Sequence, residues 1–141
     1  MTYTGRPGLS HIKSLLGGVR SQLAAGLDAE WEPRRITVTF SNGRKQVIRY
    51  RQQGDSYIFT SYVARPAAVK KIQLKSLARR ILERNRATEV VTFGLGRNGR
   101  VEAWINHRAG SLQPGELKFY LAVLAREADR FEYLLTGKDV N

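Results

Sequence analysis

Cysteine is missing from this 141-residue sequence, which has one methionine and two histidines. Without cysteine there is no disulfide, no thiolate metal site and no thiol nucleophile. No stretch approaches the roughly 18 uninterrupted apolar residues of a spanning helix, so the chain is not expected in a membrane. The first residues offer no apolar signal core, because the run from Leu9 is broken by Ser10, His11, Lys13 and Ser14. A cytoplasmic protein is the expectation. Acidic residues are scarce as well, 12 against 24 Lys plus Arg, for a formal net charge of +12.

What is there is a globular composition, with 42% hydrophobic and 26% charged residues. The length suits one domain over residues 1–141, with about the first eight residues flexible. The charge is concentrated. Residues 33–88 hold 14 cations against Asp55 and Glu83, so this segment carries the whole excess and the rest sums to zero. An anionic partner would favour the surface it builds, although a cationic excess can also simply keep a small domain soluble.

Apolar spacing predicts eight elements. Ile12, Leu15, Leu16, Val19 and Leu23 recur at helical intervals, predicting a helix from about Ser10, as N-cap, to about Ala25, with Gly26 as its stop. Gly17-Gly18 weakens it. Ile36, Val38 and Phe40 alternate with threonines as a strand, and Asn42-Gly43 signals a type I′ hairpin turn. Strands follow through Val47–Tyr50 and Tyr57–Val63. Pro66 opens a helix whose apolar stripe is Leu74, Leu77, Ala78, Ile81 and Leu82, opposite a basic face. Two strands, Val90–Leu95 and Val101–Ile105, precede a last helix that Pro114 opens and Gly137 ends. The order α-β-β-β-α-β-β-α gives a single α+β domain, an antiparallel sheet with helices packed on it.

Catalytic signals are weak. His11 and His107 are far apart and have no third ligand at metal spacing, so no metal, cofactor or small-molecule substrate is expected. Glu127 and Asp129 neighbour Arg126 and Arg130, which suits a solvated, locally paired face better than a general acid–base pair. Gly94, Gly96 and Gly99 fit the letters G-x-G-x-x-G. A dinucleotide site needs a helix after them, yet Arg100–Ile105 alternates as a strand, so the glycines are expected to serve a hairpin. The chain does not read as an enzyme.

The segments LARRILERNR, VVTFGLGRNGRVEAWINH and LAVLAREADRFEYLLTGKD span residues 77–139. A Leu-rich helix ends in Asn85. An apolar hairpin turns on glycines. A helix then carries Leu124-Ala125, Ala128-Asp129 and Leu134-Leu135. This pattern resembles the YbjN and type III secretion chaperone-like superfamily, with looser agreement around Gly54, Asp55 and Tyr57. The resemblance implies a small, dimeric, non-enzymatic protein that holds an extended client segment against helix and sheet surfaces. Such chaperones tend to be acidic and this chain is basic, which suggests an acidic client or a relative adapted to nucleic acid.

Two function classes follow. The first is a protein-binding chaperone or adaptor. In the last helix Phe119, Val123 and Leu134 point away from the sheet-facing stripe, forming an apolar interface for a second subunit or a client unless the first helix covers them. The basic face offered to the partner is Arg35, Lys45, Arg49, Arg51, Lys75, Arg79, Arg80, Arg84 and Arg86. The second class is a nucleic-acid-binding domain. Lys45, Val47, Arg49 and Arg51 share one side of a strand, as Tyr57 and Phe59 share one side of the next. If the sides coincide, cations beside aromatic rings make a platform for phosphates and bases. If they do not, the two rings belong to the core.

Overall fold

The computed structural model describes residues 10–24 and 26–137. The expected flexibility of the first eight residues lies outside them.

Alternating burial writes a seven-stranded antiparallel sheet. Helix α1 (Ser10–Leu16) is followed by β1 (Arg20–Ala24), β2 (Leu27–Glu32), β3 (Arg35–Phe40), β4 (Lys45–Gln53) and β5 (Ser56–Ala64). Helices α2 (Pro66–Val69) and α3 (Leu74–Ala87) lead to β6 (Thr92–Leu95), β7 (Val101–Arg108) and α4 (Pro114–Thr136). The strand order is β1-β2-β3-β4-β5-β7-β6, with every neighbouring pair antiparallel. The architecture is the expected α+β one.

The beginning differs from the expectation. The helix predicted to about Ala25 stops at Leu16, because Gly17 (φ 89°) and Gly18 (φ 138°) adopt backbone conformations that a helix cannot contain. Ser10 is the first helical residue described. Two further strands follow. Leu27, Ala29 and Trp31 alternate with exposed Asp28, Glu30 and Glu32, a period of two that places β2 half-buried in the sheet. Gly26 (φ 80°) turns β1 into β2 rather than ending a helix. The turn at Asn42-Gly43 also differs. Only Gly43 is left-handed (φ 89°), Gly43 N–H donates to the Phe40 carbonyl, and the Asn42 Oδ1 accepts from Arg44 N–H at 3.0 Å. That is a three-residue loop with glycine in its left-handed position, not a two-residue type I′ turn.

One face of the sheet carries the core. Ile36, Val38, Ile48, Tyr57, Phe59, Val101 and Ala103 are wholly buried on it, under Leu117, Leu121, Leu124 and Ala128 of α4. Ile12 and Leu16 of α1 join the same core. Gln46 and Ser61, buried polar side chains of β4 and β5, satisfy each other at 2.8 Å, and Ser61 also donates to the Val47 carbonyl. At its amino end α4 is closed by a reciprocal cap between Gln113 and Glu116. At its far end Gly137 (φ 67°) donates to the Tyr133 carbonyl. The opposite sheet face is open.

The three glycines near the second hairpin have separate structural roles. A Cβ on Gly94 would stand 2.7 Å from the Trp104 indole, and one on Gly96 2.7 Å from the Glu102 carboxylate. Gly99 turns the chain with φ 74°. A strand follows, as the sequence led us to expect.

Candidate functional site

Helix α3 is amphipathic, but its apolar residues divide into two rows. Leu77 and Ile81 are buried, whereas Leu74 and Leu82 are exposed by 69% and 53%. Ala78 is exposed with them, so residues 74, 78 and 82 form a second row, four apart, turned to solvent. Lys75, Arg79 and Arg86 are exposed as expected, and so is Arg80.

Arg84 departs from that face. It is tucked against α4, where its Nη2 donates to Glu127, and its side chain is only 14% exposed. The Arg84 Nε is buried without a hydrogen-bond partner. Asp129 is also committed across the fold, to Arg44 on the β3–β4 loop. Glu127 and Asp129 are therefore not paired locally with Arg126 and Arg130; each reaches a cation on a distant element.

Between α3 and the carboxyl half of α4 lies a groove of about 320 Å³. Its apolar side is Phe131, Leu134 and Leu135 of α4 with Ala87 of α3, and its polar rim is Arg80, Glu83 and Arg84. Phe93 supports the floor with an edge-on contact to Phe131, ring centroids 4.9 Å apart. Three residues singled out in the sequence, Arg80, Arg84 and Leu134, thus meet in one place. Phe131 and Leu135 are core positions of α4. They also form the back of this groove. Such a surface takes an apolar side chain and carries cations beside it.

The three apolar candidates of α4 do not form one patch. Phe119 and Leu134 are half exposed, at 54% and 50%. They stand 15 residues apart, about 22 Å along a helix that rises about 1.5 Å per residue. Val123 between them is partly buried against the core. Both α1 and α2 pack on α4, so part of its second face is covered from within the chain.

The sheet cations lie on the open face. Lys45, Arg49 and Arg51 alternate outward along β4. Arg35 is held by Glu32 at 3.1 Å, on the neighbouring strand. Tyr57 and Phe59 are wholly buried on the opposite face, so the two sides do not coincide and the platform expected from those rings does not form. In the register, Arg49 and Arg51 stand opposite Thr60 and Ile58. The aromatic residues that do share the open face are Tyr62 and Trp104, which the sequence reading missed.

Both histidines are engaged by tyrosines. His11 Nδ1 lies 3.1 Å from the Tyr57 hydroxyl and His107 Nδ1 lies 2.7 Å from that of Tyr120. Among the described residues, no three His, Asp or Glu side chains gather at one point. No helix among them is long and apolar enough to cross a membrane.

No protein-family model matches the chain, and no curated protein does. Solved structures do. The chain is similar to the HopA1–SchA chaperone–effector complex, at 11% identity over 92% of this chain and 91% of that one, TM-score 0.51. It is similar to the ExoU–SpcU heterodimer of the type III secretion system of Pseudomonas aeruginosa, at 17% identity over 76% and 87%, TM-score 0.53. YbjN from E. coli matches at 14% identity over 93% and 90%, TM-score 0.50. At these identities the likeness is one of fold, and the fold is that of the YbjN and type III secretion chaperone-like proteins.

Proposed function

We propose that this protein is a non-enzymatic chaperone or adaptor that holds a segment of a partner protein, and that the groove between α3 and α4 takes one apolar side chain of that segment. The observation that carries the reading is the convergence of Leu134 and Phe131 with Arg80 and Arg84 around one opening. Apolar contact supplies affinity and the exposed Arg80 guanidinium favours a carboxylate beside it, Arg84 being held by Glu127, so the preferred segment is acidic with a Leu- or Phe-like anchor. The folds it resembles include a chaperone–effector complex, which supports the partner class. A cytoplasmic location belongs to the same reading.

A homodimer is part of the proposal. Its support is the exposed row of Leu74, Ala78 and Leu82 on α3, an apolar stripe that a second copy can cover by two-fold association. The test is light scattering at micromolar concentration. The parent is expected at twice 15.9 kDa, and Leu74→Glu with Leu82→Glu at the monomer mass. A parent that stays monomeric removes the dimer but leaves the groove. The groove itself is tested by the peptide titration that closes the Discussion.

A further inference from the structure

The open sheet face carries a second kind of surface, unrelated to the α3–α4 groove. Tyr62 of β5 stands out of the sheet with a guanidinium from each neighbouring strand beside its ring. Arg49 of β4 lies 5.3 Å from the ring centroid, and Arg100, where β7 begins, lies 4.6 Å from it. Tyr62 is opposite Glu102, and Trp104 is opposite Thr60. The two aromatic residues are thus diagonal neighbours on adjacent strands, with side chains roughly 7–8 Å apart.

Trp104 is only half-buried. The outer edge of its indole reaches Gly94, so close that a Cβ there would meet it at 2.7 Å, and the missing side chain makes room for the ring on the open face. Arg51 extends the cationic row of β4 on the same side, bonded to Gln53 and to no carboxylate. Among the described residues neither Arg49 nor Arg100 forms an ion pair with a carboxylate, and two acids, Glu102 and Glu132 of α4, border the patch. The acidic outer residues Asp28, Glu30 and Glu32 stand on β2, two strands from β4, roughly 10 Å across the sheet.

We propose that the open face of β4, β5 and β7 binds single-stranded nucleic acid, with Tyr62 and Trp104 stacking bases while Arg49, Arg51 and Arg100 hold phosphates. The choice of ligand follows from the two chemistries present together. Unpaired guanidiniums attract any polyanion, but flat aromatic faces between them match only a polyanion whose repeating units are themselves flat rings. A base stacking on Tyr62 takes the place of one flanking guanidinium, which moves out to the adjacent phosphate. A duplex keeps its bases stacked inside and offers nothing to the two rings, so it gains only the charge. An acidic protein segment likewise uses the cations alone.

The test is fluorescence anisotropy with a labelled, mixed-sequence single strand of about 12 nucleotides, in about 50 mM salt. Saturable binding is expected, with log affinity falling against log salt at a slope of about −2 for three phosphates on a single strand. Tyr62→Ala should weaken it by about five-fold or more, and Arg49→Glu with Arg100→Glu further. Circular dichroism checks that each variant folds. Trp104→Phe, which keeps a ring and the fold, should retain affinity but lose the quenching of tryptophan fluorescence that the parent shows. Arg79→Glu with Arg80→Glu, on the groove side, should leave oligonucleotide binding within about two-fold. Three results overturn the assignment: no saturable binding, folded sheet variants that bind like the parent, or a polyglutamate of equal charge competing as well as the oligonucleotide. None of them bears on the groove.

Discussion

The Asn85 side chain closes both backbone polar groups of Phe93. Its Oδ1 accepts from the Phe93 N–H at 2.7 Å and its Nδ2 donates to the Phe93 carbonyl at 3.0 Å. An amide is the side chain that offers donor and acceptor together, and this one pins the end of α3 to β6, the edge strand beneath Phe131. Asn85→Ala is expected to destabilise the fold by about 1–3 kcal/mol, since it strands two partly buried backbone groups. Asn85→Asp keeps the acceptor and loses the donor, so it should fall between. Urea melts rank the three; equal midpoints would contradict the bridge.

Gly18 stands at φ 138°, between α1 and β1, with open space where a Cβ would be. Gly18→Ala therefore tests backbone strain without a clash. A loss of about 1–3 kcal/mol is expected in thermal melts. An unchanged melting temperature would mean that the chain leaves α1 by another route.

The ion pairs should differ in worth according to burial. Arg84–Glu127 is largely shielded, whereas Arg20–Glu30 spans 3.6 Å with side chains 85% and 55% exposed. Glu127→Ala leaves a shielded guanidinium without its carboxylate and should cost well over 1 kcal/mol. Glu30→Ala should cost about 0.5 kcal/mol or less. Equal losses would contradict the difference in burial.

These pairs also mark where local sequence reading ends. Glu127 and Arg84 are 43 residues apart, and Asp129 and Arg44 are 85 apart, so adjacent Arg126 and Arg130 looked like the natural partners. The α4 helix and the Gly94–Gly99 hairpin were legible because cap, stop and alternating residues agreed. The helix at Ser10–Leu16 was legible, but β1 and β2 after it were not, because Val19, Leu23 and Leu27 fit a helical interval as well as they fit strands. The period-two pattern of Leu27, Ala29 and Trp31 was the available signal. Period two also separated the faces of β4 and β5 correctly. It could not tell which face the helices cover, and that placed Tyr57 inside and left Tyr62 out.

Tyr50 links stability to alkaline pH. Burial raises its pKa above the ordinary tyrosine value, with hydrogen bonds from Trp31 and the Arg34 backbone opposing the rise. The folded value exceeds the unfolded one. The stabilisation is therefore fully present below the unfolded pKa of about 10 and is lost as pH rises through the folded value. Urea midpoints should decline above about pH 10. In Tyr50→Phe, which also frees the Trp31 N–H bonded at 2.7 Å, the midpoint should start lower and decline less steeply. An equal decline in both would assign the effect to other groups.

The groove is tested most directly by titrating the protein with a labelled acidic peptide carrying one central leucine, in parent, Leu134→Glu and Arg80→Glu forms. Saturable binding by the parent is expected, weakened but not abolished by salt, because apolar contact is not screened. Leu134→Glu, at a half-exposed position, should remove it without lowering the melting temperature, and Arg80→Glu should reduce it about ten-fold, roughly one charge-assisted hydrogen bond. Binding that is the same in all three forms, or that vanishes with salt alone, would contradict the groove as the site.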